Sequence, residues 1–211
     1  MEDGKIMTNI NIIYEDNHII VVEKPVNILS QSDITGDIDM LSLVKEYVKN
    51  KYNKPGNVYV GLVHRLDRPV GGLMVFAKTS KAAQRLNKEI LDKRFIKTYL
   101  VLLNGNLKTS GRLINCLYKD SSGVSKVVEK DTKDAKEAIL EYEIVKYFEE
   151  ENKTLVKVNL ITGRHHQIRL QFNNIGYPIY GDQRYTETDR KTQIYLYAYK
   201  LSFKHPVKDE I

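Results

Sequence analysis

The carboxylate of Asp67 lies between two arginines in the segment VHRLDRPVGGL at 63–73. Guanidinium groups on either side are expected to hold it ionised and to lower its pKa. An ionised carboxylate in a fixed position can serve as a nucleophile, a general base or a metal ligand. An Arg–Asp pair that merely closes a turn is the plainer alternative. A second cluster, TGRHHQIR at 162–169, gathers Arg164, His165, His166, Gln167 and Arg169 at the expected start of a helix. Unsatisfied N–H groups and the helix dipole suit an anion there. His165 and His166 are adjacent, so they point to different sides of a helix, and no metal site is expected from them. A third segment, KTYLVLLNG at 97–105, carries Tyr99 at the head of an apolar strand. Its ring could stack on a nucleobase and its hydroxyl could serve as a polar handle. With 14 tyrosines in the chain, core packing is the alternative for this one.

The elements that must position these residues can be read from pattern. HIIVV at 18–22 reads as a strand ending at Lys24-Pro25. Residues 41–52 read as a helix with Leu41, Val44 and Val48 on one side and Asp39 as its N-cap. Val58–Val63 and Leu73–Ala77 read as strands, with HRLDRPVGG as the loop between them. Ser80 is expected to cap a helix over 81–94, with Ala82, Leu86 and Ile90 inward and Lys81, Arg85 and Lys88 outward. Tyr99–Leu103, Leu140–Val145 and Leu155–Ile161 read as strands, and the charged stretch 119–137 as an exposed loop or loose hairpin. Thr162 is expected to cap the last helix, Ile168, Phe172 and Ile175 to be its apolar side, and Gly176 to end it. GYPIYGDQRY at 176–185 reads as a structural turn segment. Strands and helices do not alternate regularly, so the expected fold class is α+β with a largely antiparallel sheet.

Composition narrows the function classes. The chain has 211 residues, 42% hydrophobic and 28% charged, which suits one domain with a real core, whole or split by a cleft, and argues against disorder. The net charge is +6, and its placement is uneven. Residues 61–100 hold nine Lys and Arg against three acids, while the rest of the chain balances. Such a local excess points to a polyanionic partner, nucleic acid first, unless the basic helix face is simply solvated. The opening MEDGKIMTNINIIYEDNH reads as neither a signal peptide nor a membrane span. Cys116 is the only cysteine, so no intrachain disulfide forms, and a reducing, cytoplasmic setting without membrane association is expected.

Taken together, the segments resemble the RluA family of RNA pseudouridine synthases. VHRLDRPVGGLMVFAK resembles that family's block around its catalytic aspartate. EKP at 23–25, KTYLVLLNG at 97–105, TGRHHQIR at 162–169, GYPIYGD at 176–182 and LYAYKLSFKHP at 196–206 resemble its other blocks, in order, over residues 10–207. The resemblance implies a mixed sheet with a central RNA-binding cleft, and isomerisation of specific uridines in ribosomal or transfer RNA after base flipping. It implies Asp67 as nucleophile, Tyr99 as the residue that stacks on the base and is implicated in proton removal, and Arg164 as the basic partner of the aspartate. Arg65 matches the residue that holds the base out of the helix. His64, Arg68, His166, Gln167 and Arg169, with Lys81, Arg85 and Lys88, are the further expected substrate contacts. No cofactor and no metal are implied, and a monomer without an obligate protein partner is expected. Residues 1–211 are expected to form a single catalytic domain without a separate N-terminal RNA-binding domain. Val70-Gly71-Gly72 stands where the family usually has Thr-Ser-Gly, and His165 where it usually has Thr or Ser. The first departure supports one alternative, an RNA-binding protein of the same fold that lacks activity.

Overall fold

The computed structural model describes residues 10–186 and 192–211; the first nine residues, read above as part of a non-leader N-terminus, lie outside the described residues. The chain divides into two compact units, Met1–Glu89 with Lys204–Ile211, and Ile90–Phe203.

In the first unit, β1 (Asn11–Glu15) pairs with β2 (Ile19–Lys24), and β2 with β4 (Gly71–Ala77), all antiparallel. The fully buried side chains Ile20, Val22, Met74 and Phe76 come from facing positions of β2 and β4. Helix α1 (Met40–Lys51) starts where expected, because the Asp39 carboxylate accepts the Ser42 N–H at 3.0 Å. It buries Met40, Val44 and Val48, and Leu41 stays partly exposed. Strand β3 is only Gly61–Leu62, shorter than the expected 58–63. Beyond its pairing of Leu62 with Phe76, the Val75 N–H is taken by the His64 ring at 3.1 Å, so the backbone peels away into the loop. Gly71 and Gly72, read as loop, belong to β4. Gly72 pairs with Lys24 at a φ of 124°, a conformation that disfavours a side chain.

Helix α2 (Ser80–Leu91) is capped by Thr79, not Ser80: the Thr79 hydroxyl accepts the Ala82 N–H at 3.1 Å. It ends three residues before the expected 94, and Lys93 then adopts a left-handed φ of 57°. Ala82, Ala83 and Leu86 face inward, while Lys81, Arg85 and Lys88 are exposed.

In the second unit, the strands are β5 (Ile96–Asn104), β6 (Gly111–Lys119), β7 (Ser125–Val128), β8 (Lys136–Phe148), β9 (Lys153–Leu160) and β10 (Leu196–Ser202). They form an antiparallel sheet in the order β10-β5-β9-β8-β6-β7. The charged stretch read as a loop or hairpin is a hairpin, since Lys119 pairs with Ser125 and Cys116 with Val128. Tyr99, Val101 and Leu103 of β5 share one buried face with Val156 and Val158 of β9. Helix α3 (Gln167–Asn174) packs on that face, with Phe172 edge-on to Tyr142 at 5.3 Å between ring centroids. Gly176, at a φ of 81°, follows the helix end as expected. The α+β class with a largely antiparallel sheet is therefore the observed one.

Candidate active site

The aspartate loop in the first unit is held at every second residue. His64 is buried and accepts from Val75. Leu66 is buried, and its backbone exchanges two hydrogen bonds with the Ser30 hydroxyl, at 2.7 and 3.0 Å. The Arg68 carbonyl accepts from the Asn27 N–H at 2.8 Å and from Lys24 Nζ at 3.0 Å. Val70 is buried, and its N–H closes a turn onto the Asp67 carbonyl at 2.9 Å. Between these anchors Arg65 is exposed and Asp67 half-buried.

The flanking charges are not arranged as expected. The Arg68 guanidinium turns away to the Asp37 carboxylate at 2.7 Å and the Asn27 carbonyl at 3.3 Å, and Arg65 points into solvent. One cation in the field of Asp67 is Lys24, the middle residue of the EKP segment, whose side chain is 0% exposed. Its ammonium donates to the carbonyls of Pro25, Ile28 and Arg68 at 2.9, 2.6 and 3.0 Å. Burial pushes this amine down to about 8, against a partly restoring attraction to Asp67 and a further repulsion from Arg68. In the sequence, EKP stands only as the end of a strand and a family block. A lysine flanked by Glu23 and Pro25 carries no sign of burial, and only the folded carbonyl cage reveals it.

In the second unit, the segment 162–169 is a structured loop before α3, which begins five residues after its expected cap. Thr162 does not cap the helix. Its hydroxyl accepts from the Ile139 N–H at 2.7 Å and donates to Gln167 Oε1 at 2.8 Å. His166 stands at the N-cap position with a left-handed φ of 54° and makes no side-chain cap. Gln167 organises the loop: Oε1 also accepts the Arg164 N–H at 3.0 Å, and Nε2 donates to the Ile139 carbonyl and to Gln171 at 3.0 and 2.9 Å. Arg164 is exposed, with its Nε donating to the Glu137 carbonyl at 2.9 Å. Tyr99 is 6% exposed on β5, opposite Val158 on β9 and Ala198 on β10.

A family model described as RNA pseudouridylate synthase matches residues 18–174, which takes in the aspartate loop, Tyr99 and the Gln167-centred loop. The chain belongs to that family. Its RluA branch is supported by relatives among the ribosomal large subunit pseudouridine synthases. A protein of Aquifex aeolicus described as an uncharacterized RNA pseudouridine synthase is 34% identical, over 95% of this chain and 67% of its own length. Ribosomal large subunit pseudouridine synthase D of Borreliella burgdorferi is 32% identical, over 91% of this chain and 60% of its own. The chain thus spans roughly two thirds or less of the length of these curated relatives. Among solved structures, Human RNA Pseudouridylate Synthase Domain Containing 4 superposes with a TM-score of 0.76 at 18% identity, covering 92% of this chain and 84% of its own, which shows the shared fold.

Against the pseudouridylate synthase pattern, the expected substrate contacts divide into two groups. Arg65, Arg164, Lys81, Arg85 and Lys88 are exposed. Arg85 is in addition bonded to the Pro206 carbonyl within its own unit. The others lie inside or are engaged elsewhere. His64 is turned to β4, and Arg68 to Asp37. Gln167 is a buried strut. Arg169 is 5% exposed and gripped by Asp182 through two hydrogen bonds, at 2.8 and 2.6 Å. That ion pair gives the GYPIYGD segment its structural task. His166 stacks on His165 at 3.8 Å, and its Nδ1 sits 2.6 Å from the Tyr185 hydroxyl. Burial first, then the nearby charge of Arg169, holds His166 at about 2, so it is neutral at physiological pH. Each of these five side chains is thus bonded within its own unit.

Proposed function

We propose that this chain isomerises uridine to pseudouridine in ribosomal or transfer RNA, with Asp67 as the nucleophile. The observation that carries the reading is the aspartate loop itself. A half-buried carboxylate stands on a backbone fixed at His64, Leu66, Arg68 and Val70, above a buried ammonium. Such fixing is what a reacting group needs to hold a near-attack geometry. Membership of the family supports the reaction class, and the names of the relatives support ribosomal RNA as a substrate.

In this reading the bond between the ribose anomeric carbon and uracil N1 breaks, the uracil turns, and the same carbon bonds to uracil carbon five. The proton on carbon five leaves, and the base keeps its proton count through N1. Asp67 acts on the ribose, either by adding to the anomeric carbon or by removing the 2′ proton. Tyr99 flanks the base and takes part in the proton transfer, and Arg164 serves as the basic partner of the carboxylate. The uridine must leave its stack to reach them, a cost of a few kcal/mol that stacking and phosphate contacts offset.

The test is tritium release from RNA labelled at uridine carbon five. Asp67→Asn keeps the size and loses the charge and basicity. Release is expected to vanish while the melting curve and RNA affinity stay those of the wild type. Turnover of the variant within tenfold of wild type would remove Asp67 from the mechanism, and RNA binding without any wild-type release would favour the inactive-binder alternative.

A further inference from the structure

Lys97 stands two residues before Tyr99, on the same face of β5. Its partners across the ladder are apolar, Leu160 on β9 and Leu201 on β10. It is mostly out of solvent, and among the described residues it makes no hydrogen bond and no ion pair. Its head is nonetheless well placed. A Cβ built on Gly163 would lie 2.9 Å from Lys97 Nζ, so the ammonium rests directly against the glycine that precedes Arg164. Two cations therefore flank one exposed glycine. Arg164 is aimed by its bond to the Glu137 carbonyl, and Lys97 by its strand.

An ammonium withdrawn from water without a counter-charge costs free energy. Burial alone holds the Lys97 amine below the ordinary lysine range, and no carboxylate acts to restore it. The cost is recovered only when an anion arrives. If RNA is the substrate, the anion in supply is a backbone phosphate. Gly163, having no side chain, lets the ammonium rest against the exposed backbone of this loop, where a phosphate can reach it. Lys97 differs in this from Arg169 and Lys78, whose charges are answered by Asp182 and Glu15 within their own units.

We propose that Lys97 is a further substrate-binding cation, which receives one backbone phosphate of the RNA beside Gly163. The inference rests on the function proposed above. A phosphate contact that persists unchanged through the reaction is uniform binding, so its loss raises KM and leaves kcat. A cation that instead served the nucleophile would show the opposite pattern.

The experiment uses the full chain and an in vitro transcript of large-subunit ribosomal RNA, or of transfer RNA if that is the one turned over, labelled at uridine carbon five. Wild-type release comes first, since its absence would sink the function and not this contact. Lys97→Met keeps the buried stem and removes the charge, and Lys97→Arg restores the charge. For Lys97→Met we expect KM to rise about tenfold, with kcat within about twofold of wild type. The slope of log affinity against log salt should flatten by about 0.7–0.9, the effect of one lost phosphate contact. Lys97→Arg should recover the slope. Gly163→Ala, which forces the ammonium aside without touching its charge, should raise KM in the same direction. Thermal melting of each variant separates these effects from misfolding, and Lys97→Arg with Gly163→Ala keeps the test open if Lys97→Met does not fold. A Lys97→Met enzyme with the KM and salt slope of the wild type would overturn the proposal, as would a fall in kcat at constant KM.

Discussion

Replacing Lys24 by methionine should cost far more activity than stability. Methionine keeps the length of the stem and removes the ammonium. The Pro25 and Ile28 carbonyls then lose the donor seen at 2.9 and 2.6 Å, whereas the Arg68 carbonyl keeps the Asn27 N–H. Two stranded acceptors, both only partly buried, cost at most about 6 kcal/mol together. Against that, a lysine held at about 8 in place of its ordinary 10.5 is burdened by about 3 kcal/mol in its charged form, and the variant is freed of this. The net loss is at most about 3 kcal/mol, a fall of at most about 10 °C in Tm for a chain of this size. The loop is affected more sharply. Arg68 loses one of two anchors directly after Asp67, and misplacement of a reacting group by about 1 Å costs about a hundredfold in rate. Urea unfolding and tritium release on the same preparations give both numbers. A turnover within threefold of wild type in a folded variant would refute the view that Lys24 positions the aspartate loop. The pH dependence gives a second check. The burden on Lys24 is present in full below pH 8 and falls away as pH rises from about 8 to 10.5, where the unfolded chain holds the extra proton. Wild-type stability should contain a component that rises over that range, and the curve of Lys24→Met should lack it.

Tyr99→Phe keeps a ring that is almost wholly buried, so RNA affinity and Tm should stay near wild type while tritium release falls steeply; an unchanged release rate would take the hydroxyl out of the chemistry. Lys81→Gln with Lys88→Gln spares Arg85, which is tied to Pro206, and should flatten the salt dependence of RNA binding by up to about 2 without altering which uridine reacts. A slope identical to wild type would mean that this face of α2 is merely solvated. Asp182→Asn leaves the Arg169 guanidinium buried without its counter-charge and should destabilise the fold by about 3–5 kcal/mol, read as a fall in the urea midpoint. A loss under about 1 kcal/mol would show that the pair is not buried in solution.

The sequence carried the elements better than their ends. The Asp39 cap, the inward stripe of α1 at Val44 and Val48, and the alternation of Val156, Val158 and Leu160 in β9 follow from local chemistry and periodicity, and the structure has them. Boundaries failed where a side chain replaced a backbone partner. The His64 ring cut β3 short, and the Thr162 hydroxyl, committed to Ile139 and Gln167, let α3 begin late. The charged residues of the candidate site were legible by type and not by direction. Arg68, His166, Gln167 and Arg169 read as ligand contacts in a string of letters, and each is also bonded to a partner between 5 and 31 positions away in the chain. Lys24 is the reverse case, a residue whose importance arises only when three carbonyls converge on it.

The alternation of anchors at His64, Leu66, Arg68 and Val70 makes the aspartate loop a two-track segment. One track is written in backbone and buried side chains and answers to stability. The other, exposed Arg65 and half-buried Asp67, is the one to which the proposed function gives the chemistry. Because the tracks interleave residue by residue, the outward letters can be rewritten without disturbing the frame beneath them. A library randomised at Arg65 alone should therefore yield mostly folded proteins that differ in what they accept, which makes this loop a place to retune specificity while the scaffold stays constant.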